Sequence, residues 1–362
     1  MADDGDFKPE LRRDPITGIW VIIANRKGRP SGQIEEKPLP ETGCPFCPGR
    51  EHSTPAEIYA VRPNGRPNGP GWLIRVVPNK FKALDVDLLL QRRGLGMYDW
   101  ISGRGAHEVI IETPNHNAQL RNMPPEDVKR LLDTYALRLE DLRRDRDLRH
   151  VVIFRNYRTI AGASLPHPHS QIIALPIVPK LVKDKLMAAR EYFIGHERCI
   201  FCDLIQQELL ENRRIVVRNE HFIAIVPYAA RFPYELHIYP LRHQHDILLM
   251  TEEEQWSLIQ ILQDVLNRWY AILGDHEKGW NVPYNMVLQT SPNTVPRPGR
   301  PDYWGTIQYD YHWHIELIPR LTKMAGFEWG TGFHINTVLP ERAASELRAV
   351  EEQAPSKSAG EA

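Results

Sequence analysis

What the chain lacks narrows it first. There are only four cysteines in 362 residues, and they fall in two pairs, Cys44-Pro-Phe-Cys47 and Cys199-Ile-Phe-Cys202, which argues against a disulfide-stapled scaffold. No apolar run reaches the length needed to span a membrane. The opening residues MADDGDFKPELRRD are charged and unlike an export signal, so the expected location is cytoplasmic with no membrane partner. Neither sign of charge dominates: 45 Lys and Arg against 46 Asp and Glu leave a net charge of -1. That balance argues against a broad basic face for nucleic acid, while local arginine clusters stay free to bind phosphate. With 42% hydrophobic residues, a chain this long can bury a substantial core, as two domains or one of double size. Proline and glycine gather partly in loops such as RPNGRPNGPGW, read as a long surface connection.

What is there is a duplication. HEVIIETPNH (107–116) and YELHIYPLRH (234–243) are each a strand-like run ending a few residues before a histidine. A helix follows each. In the first copy Val128, Leu131, Leu132, Tyr135, Leu139 and Leu142 recur at helical spacing behind Pro124-Pro125-Glu126; in the second, Trp256, Ile259, Leu262, Leu266 and Trp269 recur behind Thr251, an expected N-cap. Further strands follow, HVVIFRN before His167-Pro168-His169 and YNMVLQTSP before His312-Trp313-His314. Upstream, each copy carries VVPN or IVPY and, before that, its CxxC.

Two chemistries emerge from these patterns. On a strand, successive side chains alternate faces, so His167, His169 and Gln171 are expected to point one way, with one imidazole able to attack phosphorus while the amide holds a phosphoryl oxygen. A packing or surface pair is the plain alternative for any HxH. Each CxxC can offer two thiolates to one tetrahedral ion, completed as Cys2His2 by His116 and His167 in the first copy and by His243 and His312 in the second. A redox dithiol is the rival, although neither CxxC opens an obvious βα unit.

The combination Phe154, Asn156, Gly162-Ala163-Ser164 and His167-Pro168-His169-Ser170-Gln171 resembles the galactose-1-phosphate uridylyltransferases, the transferase branch of the histidine triad superfamily. The resemblance runs from ELRRDPITGIWVIIANRKGRP through CPFCPGRE and VVPNKFKAL to AGFEWGTGFHINTVLPE. It implies an α+β fold of two histidine-triad-like halves, each an antiparallel sheet with a crossing helix, and a homodimer whose sites draw on both subunits. It also implies that His169 attacks the α-phosphorus of a nucleoside diphosphate sugar and that a sugar 1-phosphate then accepts the nucleotidyl group. Gln171, standing where hydrolases of the superfamily carry a third histidine, favours transfer over hydrolysis. Ser164, Arg26, Arg29, Asn79 and Asn156 match phosphate or nucleotide contacts, and Phe327 and Glu328 match the region that reads the hexose. Cys44, Cys47, His116 and His167 match a zinc site that would brace the HPH backbone.

Some residues depart from the pattern. The best-known bacterial members use a carboxylate and three histidines in their second metal site; here a CxxC stands there, Gln289 replaces one histidine, and a second zinc on Cys199, Cys202, His243 and His312 is expected. That arrangement, with GFExGTG, is similar to a branch including plant phosphorylases that act on ADP-glucose with phosphate as acceptor. Arg158 replaces the glycine of the family's FENxG. The expected partition is 1–190 with the catalytic HPHxQ and first zinc site, 191–345 with the second, and a disordered tail over 346–362, the halves joining near residues 180 to 198. Uridylyl transfer between UDP-glucose and galactose 1-phosphate leads as the expected activity; ADP-glucose phosphorolysis follows, and a noncatalytic zinc protein, which would not need His169 or Gln171, comes last.

Overall fold

The computed structural model of the chain describes residues 8–24, 43–297, 299 and 303–352. It opens with a hairpin, β1 (Glu10–Arg13) and β2 (Trp20–Ile23), and continues through β3 (Tyr59–Val61) and β4 (Ile74–Pro78). A second hairpin, β5 (Arg92–Leu95) and β6 (Tyr98–Ile101), precedes β7 (Ala106–Ile111), the helix α1 (Pro125–Arg143), β8 (His150–Tyr157) and β9 (His169–Leu175). The helices α2 (Lys180–His196) and α3 (Ile200–Glu211) lead to β10 (Ile215–Arg218), β11 (Phe222–Ile225) and β12 (Leu236–Pro240). Then come α4 (Glu252–Leu273), β13 (Tyr284–Gln289), the short α5 (Ile307–Asp310), β14 (His314–Pro319), α6 (Gly326–Thr331), β15 (His334–Asn336) and α7 (Pro340–Glu352).

The duplication is visible as one sheet. Its ten strands run β10-β11-β12-β14-β13-β8-β9-β7-β4-β3, and every neighbouring pair is antiparallel. Read outward from the centre, β8-β9-β7-β4-β3 and β13-β14-β12-β11-β10 are the same arrangement, and β13 joins β8 from Tyr284↔Tyr157 to Leu288↔Ile153. The two copies thus share a continuous sheet instead of packing as separate ones.

One face of the sheet is covered by α1 and α4. On α1, Val128, Leu131, Leu132, Tyr135, Leu139 and Leu142 are all buried, as their spacing predicts, in a core shared with Ile172 and Ala174 of β9 and Ile315 and Leu317 of β14. Proline stands at the first turn of α1, where no N–H is needed. On α4, Thr251 and Glu254 form a capping box; Ile259, Leu262, Leu266 and Trp269 are buried, while Trp256 is only partly so. Among the described residues no helix is long and apolar enough to cross a membrane.

The structure departs from the expected partition in three places. The first hairpin lies with the second half: β2 pairs in parallel with β15, and the Arg12 guanidinium donates to both carboxylate oxygens of Glu341 and to the Tyr228 carbonyl. The boundary at 190 falls inside α2, whose Val182, Leu186 and Ala189 pack with Phe201, Ile223 and Tyr239 of the second half. The expected disordered tail also starts too early, since α7 continues to Glu352.

Where β8 ends, Arg158 has φ 74° and ψ 161°, a region that is essentially reserved for glycine and costs about 1–3 kcal/mol for other residues. Its guanidinium lies 3.5 Å from the centroid of Trp280, a contact worth about 0.5–1 kcal/mol when exposed. The backbone strain is the larger effect. Arg158→Gly should therefore stabilise the protein, by about 1 kcal/mol after glycine's own entropy cost, whereas Arg158→Ala should destabilise it by keeping the strain and losing the stack. Urea midpoints of the two variants that move in the same direction would contradict this account.

Candidate active site and metal centres

Strand β9 has two chemically different faces. Ser170, Ile172 and Ala174 point toward α1; His169 and Gln171 share the other face. His169 is 5% exposed, and its Nδ1 donates to the His167 carbonyl at 2.8 Å. A carbonyl only accepts, so the proton of the neutral ring sits on Nδ1 and Nε2 keeps its lone pair. Burial holds His169 below the ordinary histidine range, which favours that neutral form. Phe46, inside the first CxxC, packs edge-on against the ring at 5.4 Å. The arrangement can present an imidazole nitrogen to an electrophile beside a primary amide.

Behind this face runs a buried polar chain that the sequence reading missed. Ser170 donates to Glu112, which takes Arg155 Nε at 3.0 and 3.1 Å, and Arg155 Nη1 donates to Tyr284 Oη at 2.7 Å. Tyr135 of α1 bonds the Ser170 hydroxyl. Glu112 and Arg155 are both 1% exposed. The chain holds β9 between its two outward-facing groups and ties it to β13 of the second half. A charged residue in each of two strand-like runs was the available signal, since a buried charge requires a partner.

Both Cys/His sets come together. Cys44, Cys47, His116 and His167 place their ligand atoms within 4.8 Å of one another, and so do Cys199, Cys202, His243 and His312. In the first, Cys47 Sγ is 3.3 Å from His116 Nδ1 and 3.6 Å from His167 Nδ1; in the second, Cys202 Sγ is 3.3 Å from His243 Nδ1 and 3.6 Å from His312 Nδ1. A tetrahedral zinc with bonds of about 2.3 Å to sulfur and about 2.0–2.1 Å to nitrogen sets this edge at about 3.6 Å. Three of the four outer nitrogens have second contacts: His167 Nε2 donates to Thr113 O at 2.7 Å, His312 Nε2 to Pro240 O at 2.8 Å and His243 Nε2 to Gln308 O at 3.0 Å, while His116 Nε2 is buried with no hydrogen-bond partner among the described residues. These bonds leave Nδ1 as the ligand atom. Burial draws His167 down to about 4; the Cys199 thiol, followed by His243 and His312, draws Cys202 down, while Cys199 is pushed up by the same thiol–thiol contact. A neutral His167 and a Cys202 thiolate are forms that a metal can take.

The second copy repeats the frame with different chemistry. His314 Nδ1 approaches His312 O at 3.1 Å, as His169 does His167 O, and Phe201 of the second CxxC lies 5.4 Å from the His314 ring. Glu316 stands where Gln171 stands, and His314 Nε2 is 3.5 Å from it. Glu235, His237 and Glu316 are close enough to hold a cation, but Lys185 and Arg231 already neutralise the two carboxylates. A divalent ion there would have to displace both cations. The remaining cavity, about 50 Å³, is lined by these groups and by Asp14, Ile16 and Thr17 of the first hairpin, and its two carboxylates suit a phosphate poorly.

The other expected residues are more scattered. Asn79 donates toward Gln171 Oε1 at 3.5 Å, and the Asn156 carbonyl accepts from Asn285 at 2.8 Å. Ser164 is exposed in the loop before His167. Phe327 is exposed, and Glu328 caps its own helix by accepting from Ala325 N at 3.0 Å; among the described residues no hydrogen bond or ring contact joins either to the His169 face. Arg26 and Arg29 lie outside the described residues.

Comparison with known proteins shows the family. Residues 74–179 match the family model of the galactose-1-phosphate uridyl transferase N-terminal domain and residues 185–358 that of its C-terminal domain. The chain is 32% identical over 358 residues to an ADP-glucose phosphorylase of Arabidopsis thaliana, covering 96% of this chain and 95% of that one. It is 32% identical over 351 residues to a galactose-1-phosphate uridylyltransferase of Thermotoga maritima, covering 94% and 98%. A crystal structure of an ADP-glucose phosphorylase from Arabidopsis thaliana with bound ADP-glucose superposes with a TM-score of 0.77 at 30% identity, covering 97% of this chain and 100% of that one.

The buried chain behind β9 yields a stability test. Removing one member of a buried ion pair leaves the other uncompensated, at a cost of about 3–5 kcal/mol, so Arg155→Leu should lower stability by that amount. Adding Glu112→Gln removes the stranded charge while keeping an acceptor for Ser170, and should recover a large part of the loss. Equal urea stabilities for the single and double variants would show that the pair carries no such coupling.

Proposed function

The chain belongs to the galactose-1-phosphate uridylyltransferase family, and from that premise we propose that it transfers a nucleotidyl group from a nucleotide sugar to a phosphorylated acceptor through His169. The observation that carries this reading is the buried His169 imidazole, proton-bound at Nδ1 by the His167 carbonyl, sharing a strand face with the Gln171 amide. In the first step Nε2 bonds to the α-phosphorus, the bond from that phosphorus to the bridging oxygen breaks, and the sugar 1-phosphate leaves. In the second, an oxygen of the acceptor phosphate attacks the same phosphorus, the N–P bond breaks, and His169 returns neutral. The acceptor is already an anion, so no general base is required. Gln171 would donate to a non-bridging oxygen in both steps, with Ser164, Asn79, Asn156, Arg26 and Arg29 as further phosphate or nucleotide contacts.

Each Cys2His2 set fits a zinc ion with four protein ligands, and such an ion offers no open position and supplies a fixed backbone instead of a reactive group. For the first site, that backbone is the one carrying Pro168 and His169. UDP-glucose with a hexose 1-phosphate acceptor, the reaction of the family, is the leading donor assignment. ADP-glucose with phosphate as acceptor is the second reading, favoured by the CxxC of the second half and by the likeness to a structure that holds ADP-glucose. A homodimer accords with the exposed apolar hairpin β5–β6, where Leu95, Met97 and Tyr98 are 78%, 89% and 71% exposed. Phe327 and Glu328, which among the described residues make no hydrogen bond or ring contact to the His169 face, would then act on the partner's substrate.

Incubation with UDP-glucose and with ADP-glucose, each labelled at the α-phosphate, should attach one of the nucleotides to the wild-type protein and neither to His169→Ala, with zinc near two per chain in both. Full labelling of His169→Ala would overturn the assignment of the nucleophile. Elemental analysis that finds no zinc, with every thiol oxidised, would overturn both metal sites.

A further inference from the structure

Gln171 can serve a phosphoryl group only if its amide nitrogen, and not its carbonyl oxygen, faces that group, and the two ends have nearly the same shape. The structure contains a device that chooses between them. The backbone N–H of Ala83 donates to His107 Nδ1 at 3.2 Å. A neutral imidazole that accepts at one nitrogen carries its proton on the other, so His107 Nε2 is a donor. The atom of Gln171 lying 2.8 Å away must then be the carbonyl oxygen. Asn79 makes the same choice from another side: its Oδ1 accepts the Phe81 N–H at 2.9 Å, which leaves its Nδ2 to face Gln171 Oε1 at 3.5 Å. Asn79 Nδ2 and His107 Nε2 are 3.0 Å apart, and since both are donors they converge on one acceptor instead of bonding each other. Among the described residues nothing bonds the Gln171 amide nitrogen.

We propose that His107 is a positioning residue for the transfer: it fixes the Gln171 carboxamide so that its hydrogens face the phosphoryl group received by His169. The inference rests on the functional reading above. Register supports it, since His107 lies opposite Ile173 on β7, with Val109 opposite Gln171, so His107 and Gln171 are diagonal neighbours on one face. In the second half Glu235 holds the place of His107 and Glu316 that of Gln171, and both are ionic. The His–Gln pairing therefore belongs to the first copy alone.

The test measures single-turnover formation of the nucleotidyl-protein in the full chain, with α-phosphate-labelled UDP-glucose and ADP-glucose as probes. His107→Leu should slow it about tenfold, the scale of one positioning hydrogen bond, with zinc content and thermal midpoint near wild type. His107→Gln, whose amide nitrogen reaches the position of Nε2, should restore the rate to within about threefold. In a Gln171→Ala background His107→Leu should change the rate by less than about twofold, because nothing remains to be oriented. Equal slowing in both backgrounds, or none in either, would overturn the inference while leaving His169 as nucleophile. A wild-type protein labelled by neither probe would overturn the underlying reading and the inference with it. If His107→Leu fails to fold, His107→Asn, whose donor falls short of Gln171, takes its place against His107→Gln with the same expected ordering.

Discussion

Strand β9 must satisfy opposite requirements on its two faces, and the rest of the structure is arranged around that constraint. Toward α1 it offers Ser170 to a buried carboxylate held by Arg155; on the other face it offers His169 and Gln171. A shift of pairing by one residue would exchange the faces, placing the imidazole against α1 and the serine against substrate. The buried chain resists that shift from behind. In front, His167 is tied to Thr113 and lies beside Cys47, so the strand is held at its entry as well as along its length.

Duplication explains how so much support reaches a single strand. The repeated unit brings its own CxxC, its own crossing helix and its own HxH strand, and the antiparallel seam between β8 and β13 merges the copies. Through that seam Tyr284 of the second half reaches Arg155 of the first. The copies keep the same Cys2His2 frame while their outward groups diverge: Gln171 against Glu316, His107 against Glu235. A neutral amide can donate to a phosphate; a carboxylate repels it. Lys185 and Arg231 spend their charge on those carboxylates, so the second face is electrostatically closed on itself.

Much of this was legible in the chain because it depends on local spacing. The CxxC pairs, the HxH strands and the helical periodicities of α1 and α4 each fall within a short window, and their repetition in order linked them. What escaped depends on partners far apart in sequence. Glu112 and Arg155 are separated by 43 residues, and Arg155 and Tyr284 by 129; in the sequence each is one polar letter in an apolar run. The hairpin β1–β2 was placed with the first half by order alone, whereas its edge pairs with β15 and Arg12 finds Glu341. His107 opens the strand-like run HEVIIETPNH, but nothing in the chain announces that Ala83 sets its tautomer.

The ion pair behind β9 also bears on what the fold is organised for. An apolar pair of similar volume in that position would serve the core as well or better, because desolvating two charges costs several kcal/mol per ion before their attraction is counted. Stability alone therefore does not account for Glu112 and Arg155. Apolar contacts, however, are nondirectional and would tolerate a small slide or rotation of the strand, whereas the Ser170–Glu112–Arg155–Tyr284 chain has bond directions that allow one position. A displacement of about 1 Å at a reacting group can cost on the order of a hundredfold in rate. For the proposed transfer, in which His169 and Gln171 must meet the same phosphorus in both steps, directional bonding beneath the strand is the more effective use of the buried space.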